Sequence, residues 1–370
     1  MLGGSAFIFS ARVGGAGLAL VTQIILARWL GPEDLGVYLL AFSWCILLST
    51  IASCGFPTSS IRFVGAGLAN ESHGYIRGFV NRAQWTIAMV SISFVVVGLV
   101  LLSFLDNMIP SMTRSALTVA LLGVPFFALM GFHNGASNGF SRFAASFLPS
   151  NVIRPSLFLA VVLTAHWFGF EFAPDALVAV HVGVIVLISM GTFLALRKLL
   201  NSRFRQDNHE YETRLWIKTS SQLLLITLFV NNFAELCVIL VGFFLPSDQV
   251  AIFHVGFRLA LLISFALQSV DSFAAPQLSK LWAQKDDARF VAVVNRTARL
   301  QFWVTLLAVG CLALAGHRLL AIFGPEFVDG YRIMIILAGM QLVRAYVGPV
   351  SLLISISGCL LYTSPSPRDS

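Results

Sequence analysis

Apolar runs of membrane-crossing length alternate along this chain with short polar breaks. Stretches without Asp, Glu, Lys or Arg extend from Leu35 to Ile61, Ala83 to Leu105, Ser115 to Ser141 and Ala176 to Leu196. Each reaches the roughly 20 residues that a helix rising about 1.5 Å per residue needs to cross a hydrocarbon core. Shorter runs, each broken by one charged residue, fill most of the remainder. Together they predict ten spans, roughly 6–28, 35–57, 83–105, 115–137, 147–168, 175–197, 219–244, 250–272, 299–322 and 332–356. The strand alternation and even turns of an outer-membrane barrel are absent, so the expected fold class is all-α, a polytopic membrane protein.

Composition agrees. Hydrophobic residues make up 57% of the 370 and charged residues 11%, against about a quarter charged in soluble domains. The mean hydropathy is +0.84. Lys and Arg gather in the segments after even-numbered spans, among them Arg62, Arg77, Arg82, Arg142, Arg197, Lys198, Arg203, Arg205, Lys280, Lys285, Arg289 and Arg296. Segments after odd-numbered spans hold Arg28, Arg114, Arg318 and Arg332. Basic loops stay in the cytoplasm, which places both termini of the chain inside and the Gly31-Pro32-Glu33-Asp34 turn outside. The net charge of +7 is thus a topology signal, and no nucleic-acid partner is implied. Trp29, Trp85, Trp167 and Trp216 fall at predicted span ends, where interfacial aromatics belong. Cys45, Cys54, Cys237 and Cys311 lie inside spans without metal-type spacing and read as packing residues. The opening lacks the basic segment of a cleavable signal peptide and runs directly into a span.

One phrase is written twice. "ILARWLGPEDLG" at 25–36 corresponds to "ILVGFFLPSDQV" at 239–250, with Pro246 and Asp248 standing 214 residues after Pro32 and Asp34. The same offset brings "FVNRA" (79–83) onto "VVNRT" (293–297). Six spans separate the copies, so both halves insert the same way up, as two lobes of a six-helix repeat related by an axis along the membrane normal, the second lobe incomplete. The expected domains are an N-terminal lobe over 1–200, a cytoplasmic linker over 201–218 and a C-terminal lobe over 219–358 holding four helices. Asn70 and Asn295 head formal glycosylation sequons in predicted cytoplasmic loops and are set aside.

The segment "LARWLGPEDLGVYLLAFSW", a basic stretch after it, and "VAIFHVGFRLALLISFA" in the second half resemble the polysaccharide flippases of the multidrug/oligosaccharidyl-lipid/polysaccharide exporter superfamily. The resemblance covers about residues 5–358. It implies a non-enzymatic flippase without a cofactor, in a bacterial or archaeal cytoplasmic membrane. Its cargo would be polyprenyl-diphosphate-linked oligosaccharide destined for O-antigen, capsule or exopolysaccharide, with a proton or sodium ion as a coupling candidate. A drug or cation antiporter of the same superfamily is the alternative, and a membrane-embedded sugar polymerase or ligase a more distant one. Family members continue with at least two further helices, whereas this chain closes on "CLLYTSPSPRDS". The expectation is therefore a truncated second lobe with a non-native tail over 359–370; a short native tail is the competing reading.

Candidate chemistry lies among polar groups at membrane depth, each costing at least about 2.5 kcal/mol on insertion scales. Counted from the "LPSD" turn, Glu235 and Arg258 lie at one level, roughly 17 Å deep. Asn231 and His254 precede them by four residues, so each helix should present a polar stripe on one face. The pair either pins two helices together or serves cargo. On the resemblance, Arg258 would bind the carrier's diphosphate through its planar fork while Glu235 holds it or takes a coupling proton. Arg154, Arg12 and Arg344 are further cavity candidates, Arg12 being close enough to the surface to snorkel. The excess of these arginines over Glu235 and Asp271 favours an anionic cargo. Arg28 and Arg62 read as interface anchors, "VGGAG" (13–17) as a site of close helix approach, and His181 as a bonded structural histidine. His133, Asn134 and Asn138 either bind sugar hydroxyls or cap a helix end.

Overall fold

The structure, a computed structural model, describes residues 2–105, 108–203, 210–350 and 352–353. The tail expected over 359–370 lies outside the described residues. All regular structure among the described residues is helical: α1 (Leu2–Ala52), α2 (Phe56–Ala69), α3 (His73–Phe104), α4 (Ser111–Gly139), α5 (Phe143–Leu148), α6 (Arg154–Trp167), α7 (Pro174–Arg203), α8 (Thr213–Asn231), α9 (Phe233–Phe244), α10 (Ser247–Ala283), α11 (Asp287–Ala321) and α12 (Tyr331–Val347). A π-helical turn over Pro149–Ile153 joins α5 to α6, and a 3-10 turn over Pro325–Gly330 leads into α12.

The repeated phrase is a helix-start signal. At 51 residues α1 would be more than twice as long as a hydrocarbon core is thick, but Gly31 breaks it with φ 72° and ψ 178°. Only glycine enters that region without cost. Pro32, which lacks an N–H, then opens the second segment, and Glu33 and Asp34 face the positive end of its dipole. In the second copy Leu245 is extended, Pro246 caps the turn by accepting from the Gln249 and Val250 amides, and Asp248 sits in the first turn of α10.

Seven helical stretches among the described residues are long and apolar enough to cross a membrane, or eight if α8 and α9 count as one bent span. Two features reconcile this with the ten expected. The first two spans lie in one stretch, Ser10–Ala69, interrupted at Gly31, and the tenth corresponds to α12, which has 17 residues. Two expectations change. Residues 58–82, read as a loop, are mostly helical, because the chain turns at Cys54 and Gly55, both at positive φ, and restarts with Pro57 at the N-terminus of α2. The seventh span is not continuous: α8 and α9 meet at a 63° bend beside Asn232.

The chain forms two compact units, residues 1–250 and 251–370. In the first, α4 packs against α7, α1, α2 and α3. Met130, Val184 and Ile188 form a core cluster with Phe127 against it. Toward the basic end, Phe56, Phe79, Phe132 and Trp216 are fully buried, with Trp216 edge-on to Phe79 at 5.5 Å and its indole N–H on the Tyr75 hydroxyl at 2.9 Å. Trp216 is therefore a core residue and not the interfacial anchor expected, since its N–H finds a protein partner. Trp85 and Trp167 do remain exposed. On α3 the exposed positions Trp85, Met89, Ile92, Val96, Val100 and Phe104 form one apolar stripe. Such a face is stable against lipid and unfavourable against water.

In the second unit α11 and α12 pack together across the 3-10 turn. The Tyr331 ring stacks on His317 at 3.7 Å, and its hydroxyl donates to the Ala313 carbonyl at 2.8 Å. Phe323 and Phe327 fill the corner.

Candidate functional site

Two consecutive residues of α1, Phe42 and Ser43, receive two of the candidate charges. The π-helical turn between Pro149 and Ile153 brings Arg154 to the start of α6. Widened turns of this kind let a helix re-aim a side chain. The Arg154 guanidinium lies 5.9 Å from the centroid of Phe42 and 5.4 Å from that of Phe127, positions at which ring quadrupoles attract a cation. Beside it, His181 of α7 stacks between Phe42 at 4.1 Å and Phe158 at 4.2 Å. Its Nδ1 is 2.7 Å from the Tyr38 hydroxyl, which makes it a bonded structural histidine. Gly15, in the glycine run of α1, backs directly onto the Asn151 carbonyl of the π-helical turn, where any side chain would collide.

Glu235 lies in the first turn of α9, where its Oε2 accepts from Ser43 Oγ at 2.7 Å. Two turns along α1, Thr50 Oγ1 donates to Asn232 Oδ1 at 3.1 Å. At the other end of the same seam, Leu40 packs on Gly242 and Gly36 meets the Ser247 backbone. The second segment of α1 therefore runs antiparallel to α9, and the Pro32 and Pro246 turns sit at the same end. The break at Asn232 puts Asn231 on α8 and Glu235 on α9, so the four-residue stripe expected on one helix is interrupted. The side chain of Asn231 lies outside the described residues.

The remaining candidates divide between the units. In the first, Arg12 is exposed on α1 with its guanidinium 5.4 Å from the Phe147 centroid. In the second, His254 and half-buried Arg258 stand one turn apart on α10. Arg344, exposed on α12, is within electrostatic reach of Asp271 on α10. Asp271 Oδ1 accepts from Gln301 Nε2 of α11 at 2.7 Å. Gln301 and Thr305 are buried, and Gln301 Oε1 and Thr305 Oγ1 lack hydrogen-bond partners. Sequence reasoning passed over Ser43 and Gln301. For Gln301 a signal existed, since Thr297, Gln301 and Thr305 recur every four residues on one helix face. His133 bonds on both sides, to Gln84 at 3.1 Å and Thr192 at 3.2 Å, and Asn134 donates to Ser150 at 2.6 Å. No group of three or more His, Cys, Asp or Glu able to hold a metal occurs among the described residues.

Helical throughout its described residues, with several helices apolar and long enough to cross a membrane, the chain is a multi-pass membrane protein, and comparison places its fold with the transporters of the MOP superfamily. An inward-facing multidrug resistance MATE family transporter matches with a TM-score of 0.67 at 14% identity, over 94% of this chain and 84% of that one. The lipid II flippase MurJ in an inward closed conformation matches with 0.66 at 14% identity, over 95% and 78%. A MOP superfamily transporter from Pyrococcus furiosus, described as having a binding pocket of reverse polarity, matches with 0.57 at 14% identity, over 95% and 83%. Likeness at this identity defines the fold. The family follows from sequence: the profile described as "Polysaccharide biosynthesis protein" matches residues 1–282, and the chain belongs to that family. No curated protein sequence matches it.

Proposed function

We propose that this protein is a flippase carrying polyprenyl-diphosphate-linked oligosaccharide from the cytoplasmic to the outer leaflet by alternating access, without making or breaking a covalent bond. The observation that carries the reading is membership of the polysaccharide biosynthesis family over residues 1–282. The fold shared with a lipid II flippase supports it, since that protein's cargo is also lipid-linked. The intramembrane charge supports an anionic cargo, with Arg12, Arg154, Arg258 and Arg344 outnumbering Glu235 and Asp271. Arg258 is assigned to the diphosphate, where a guanidinium binds two oxygens at once. Asn231 and His254 are assigned to its surroundings. Glu235, held by Ser43, is assigned to a coupling proton or sodium ion. The fold likeness to MATE transporters keeps drug or cation antiport as the second reading.

The test is transport by the purified chain in vesicles. Fluorescent lipid-linked oligosaccharide that becomes accessible to an external reagent in a protein-dependent manner supports the proposal. Proton-driven uptake of organic cations, with no movement of the lipid, would replace it with the second reading.

A further inference from the structure

At the basic end of the first unit, α3 and α7 enclose a cavity of about 410 Å³ that the transport reading does not use. That volume falls within the roughly 300–1,000 Å³ of small-ligand sites. Each helix presents one face to it. Arg77, Asn81 and Gln84 come from successive turns of α3, and Phe193, Arg197 and Asn201 from successive turns of α7. No Asp or Glu lines it. Arg77 Nη2 donates to Asn201 Oδ1 at 3.5 Å, a long contact that joins the two helices at the mouth. The floor is a fixed polar layer, because Gln84 bonds His133 at 3.1 Å and His133 bonds Thr192 at 3.2 Å. Two guanidinium groups and three amides thus converge on a concave surface with apolar walls from Val80, Leu196 and Leu200.

The surroundings extend the positive field. Across α3 a second cavity of about 390 Å³ shares Asn81 and adds Arg82, exposed Trp85, Tyr211 and Thr213. Asn81 Nδ2 donates to the Tyr211 hydroxyl at 3.2 Å, and Arg82 Nε is buried without a hydrogen-bond partner. Lys198 is exposed next to Arg197. Glu210 approaches through its backbone, its amide donating to the Gly74 carbonyl at 3.2 Å, with an exposed side chain. Trp85 sits where an indole marks the headgroup level, and the apolar stripe of α3 begins there and runs into the bilayer. On α7, exposed Met190 and Leu194 lie within two turns of Arg197, so a lipid lying along α7 would bring its headgroup to Arg197 and, across the cleft, to Arg77.

We propose that the cleft between the basic ends of α3 and α7 binds the phosphate of an anionic phospholipid, with Arg77 and Arg197 as ligands and Asn81 and Asn201 as supporting donors. On the orientation that the basic loops imply, the lipid belongs to the cytoplasmic leaflet. The chemistry is that of basic pockets between transmembrane helices, which take anionic headgroups. A free phosphate or the diphosphate of the cargo would meet the same donors, so the test separates the sources.

The experiment is native mass spectrometry of the full chain in detergent, titrated with phosphatidylglycerol or phosphatidylcholine of identical acyl chains. The parental protein should retain phosphatidylglycerol in preference. Arg197→Gln and Arg77→Gln should each weaken that preference, the pair together by roughly tenfold or more. Lys198→Gln removes one charge beside the cavity but no ligand, and should weaken the preference clearly less than Arg197→Gln does. Arg197 is exposed on a helix end, so its variant tests the site without endangering the fold. Equal retention of both lipids, or equal effects of Arg197→Gln and Lys198→Gln, would overturn the proposal. Displacement of phosphatidylglycerol by millimolar inorganic phosphate, or by the cargo at stoichiometric amounts, would overturn the assignment to a phospholipid.

Discussion

Ser43 Oγ donates to Glu235 Oε2 at 2.7 Å, joining the second segment of α1 to the first turn of α9. A carboxylate at membrane depth needs such a donor, because hydrocarbon offers none. Ser43→Ala should lower thermal stability in detergent by about 0.6–2 kcal/mol, the span found for interhelical hydrogen bonds in membranes. Glu235→Gln should cost less in the Ser43→Ala background than alone, so a thermal-melt double-mutant cycle should give non-additive values. Additive values would separate the two residues.

Arg258 is tested by activity together with membrane level. Arg258→Ala should abolish flipping in vesicles while the protein still inserts, and Arg258→Lys should recover only part of it, since an ammonium keeps the charge and loses the fork. The Glu235→Gln/Arg258→Gln double variant separates binding from pairing. An abundant, inactive double variant beside an active Glu235→Gln single variant fits phosphate binding, whereas a double variant that is abundant and flips at the parental rate rules it out.

The His181 stack should be structural. Tyr38→Phe removes the hydroxyl 2.7 Å from Nδ1 and should cost about 1 kcal/mol by thermal melts. Phe158→Ala empties one side of the stack and should cost more, about 3 kcal/mol. Neither should alter which cargo is carried. A change of cargo in the transport assay would move this cluster from scaffold to site.

Gly31 is needed for its backbone. At φ 72° and ψ 178°, a region essentially confined to glycine, a Cβ costs about 1–3 kcal/mol, so Gly31→Ala should lower stability by that amount. Nothing crowds the position, so the loss is conformational. Gly17→Ala, in open helical surroundings, is the control and should instead raise stability, by up to about 1 kcal/mol, in the same melts.

In the sequence, the solvent, the helical class and the starts of the two matching helices were legible. Each depends on a local quantity: the transfer free energy of a segment of about 20 residues, or the φ and N–H requirements of a Gly-Pro or Leu-Pro step. The repeat at 214 residues was legible for the same reason, because the start signal is written in the residues themselves. The bend at Asn232 and the turn at Cys54–Gly55 were not. Each carried a local signal, the Asn231-Asn232 pair and the Gly55-Phe56-Pro57 step, that the long apolar run around it outweighed.

The tertiary structure alone decided which polar groups meet. In a soluble helix the apolar stripe marks the buried face, but in lipid both faces are apolar and rotation about the axis leaves little trace in the pattern. Glu235 could be found by its cost at membrane depth; Ser43 could not, because a serine can satisfy itself on its own helix backbone and be read as neutral. Trp216 shows the same limit from the other side. Its position at a span end suggested an anchor, and only packing against Phe79 and Tyr75 made it core. Hydropathy is a sum along one segment, whereas partnership is a relation between segments, and the close approach of Gly36 to Ser247 had to exist before Ser43 could reach Glu235.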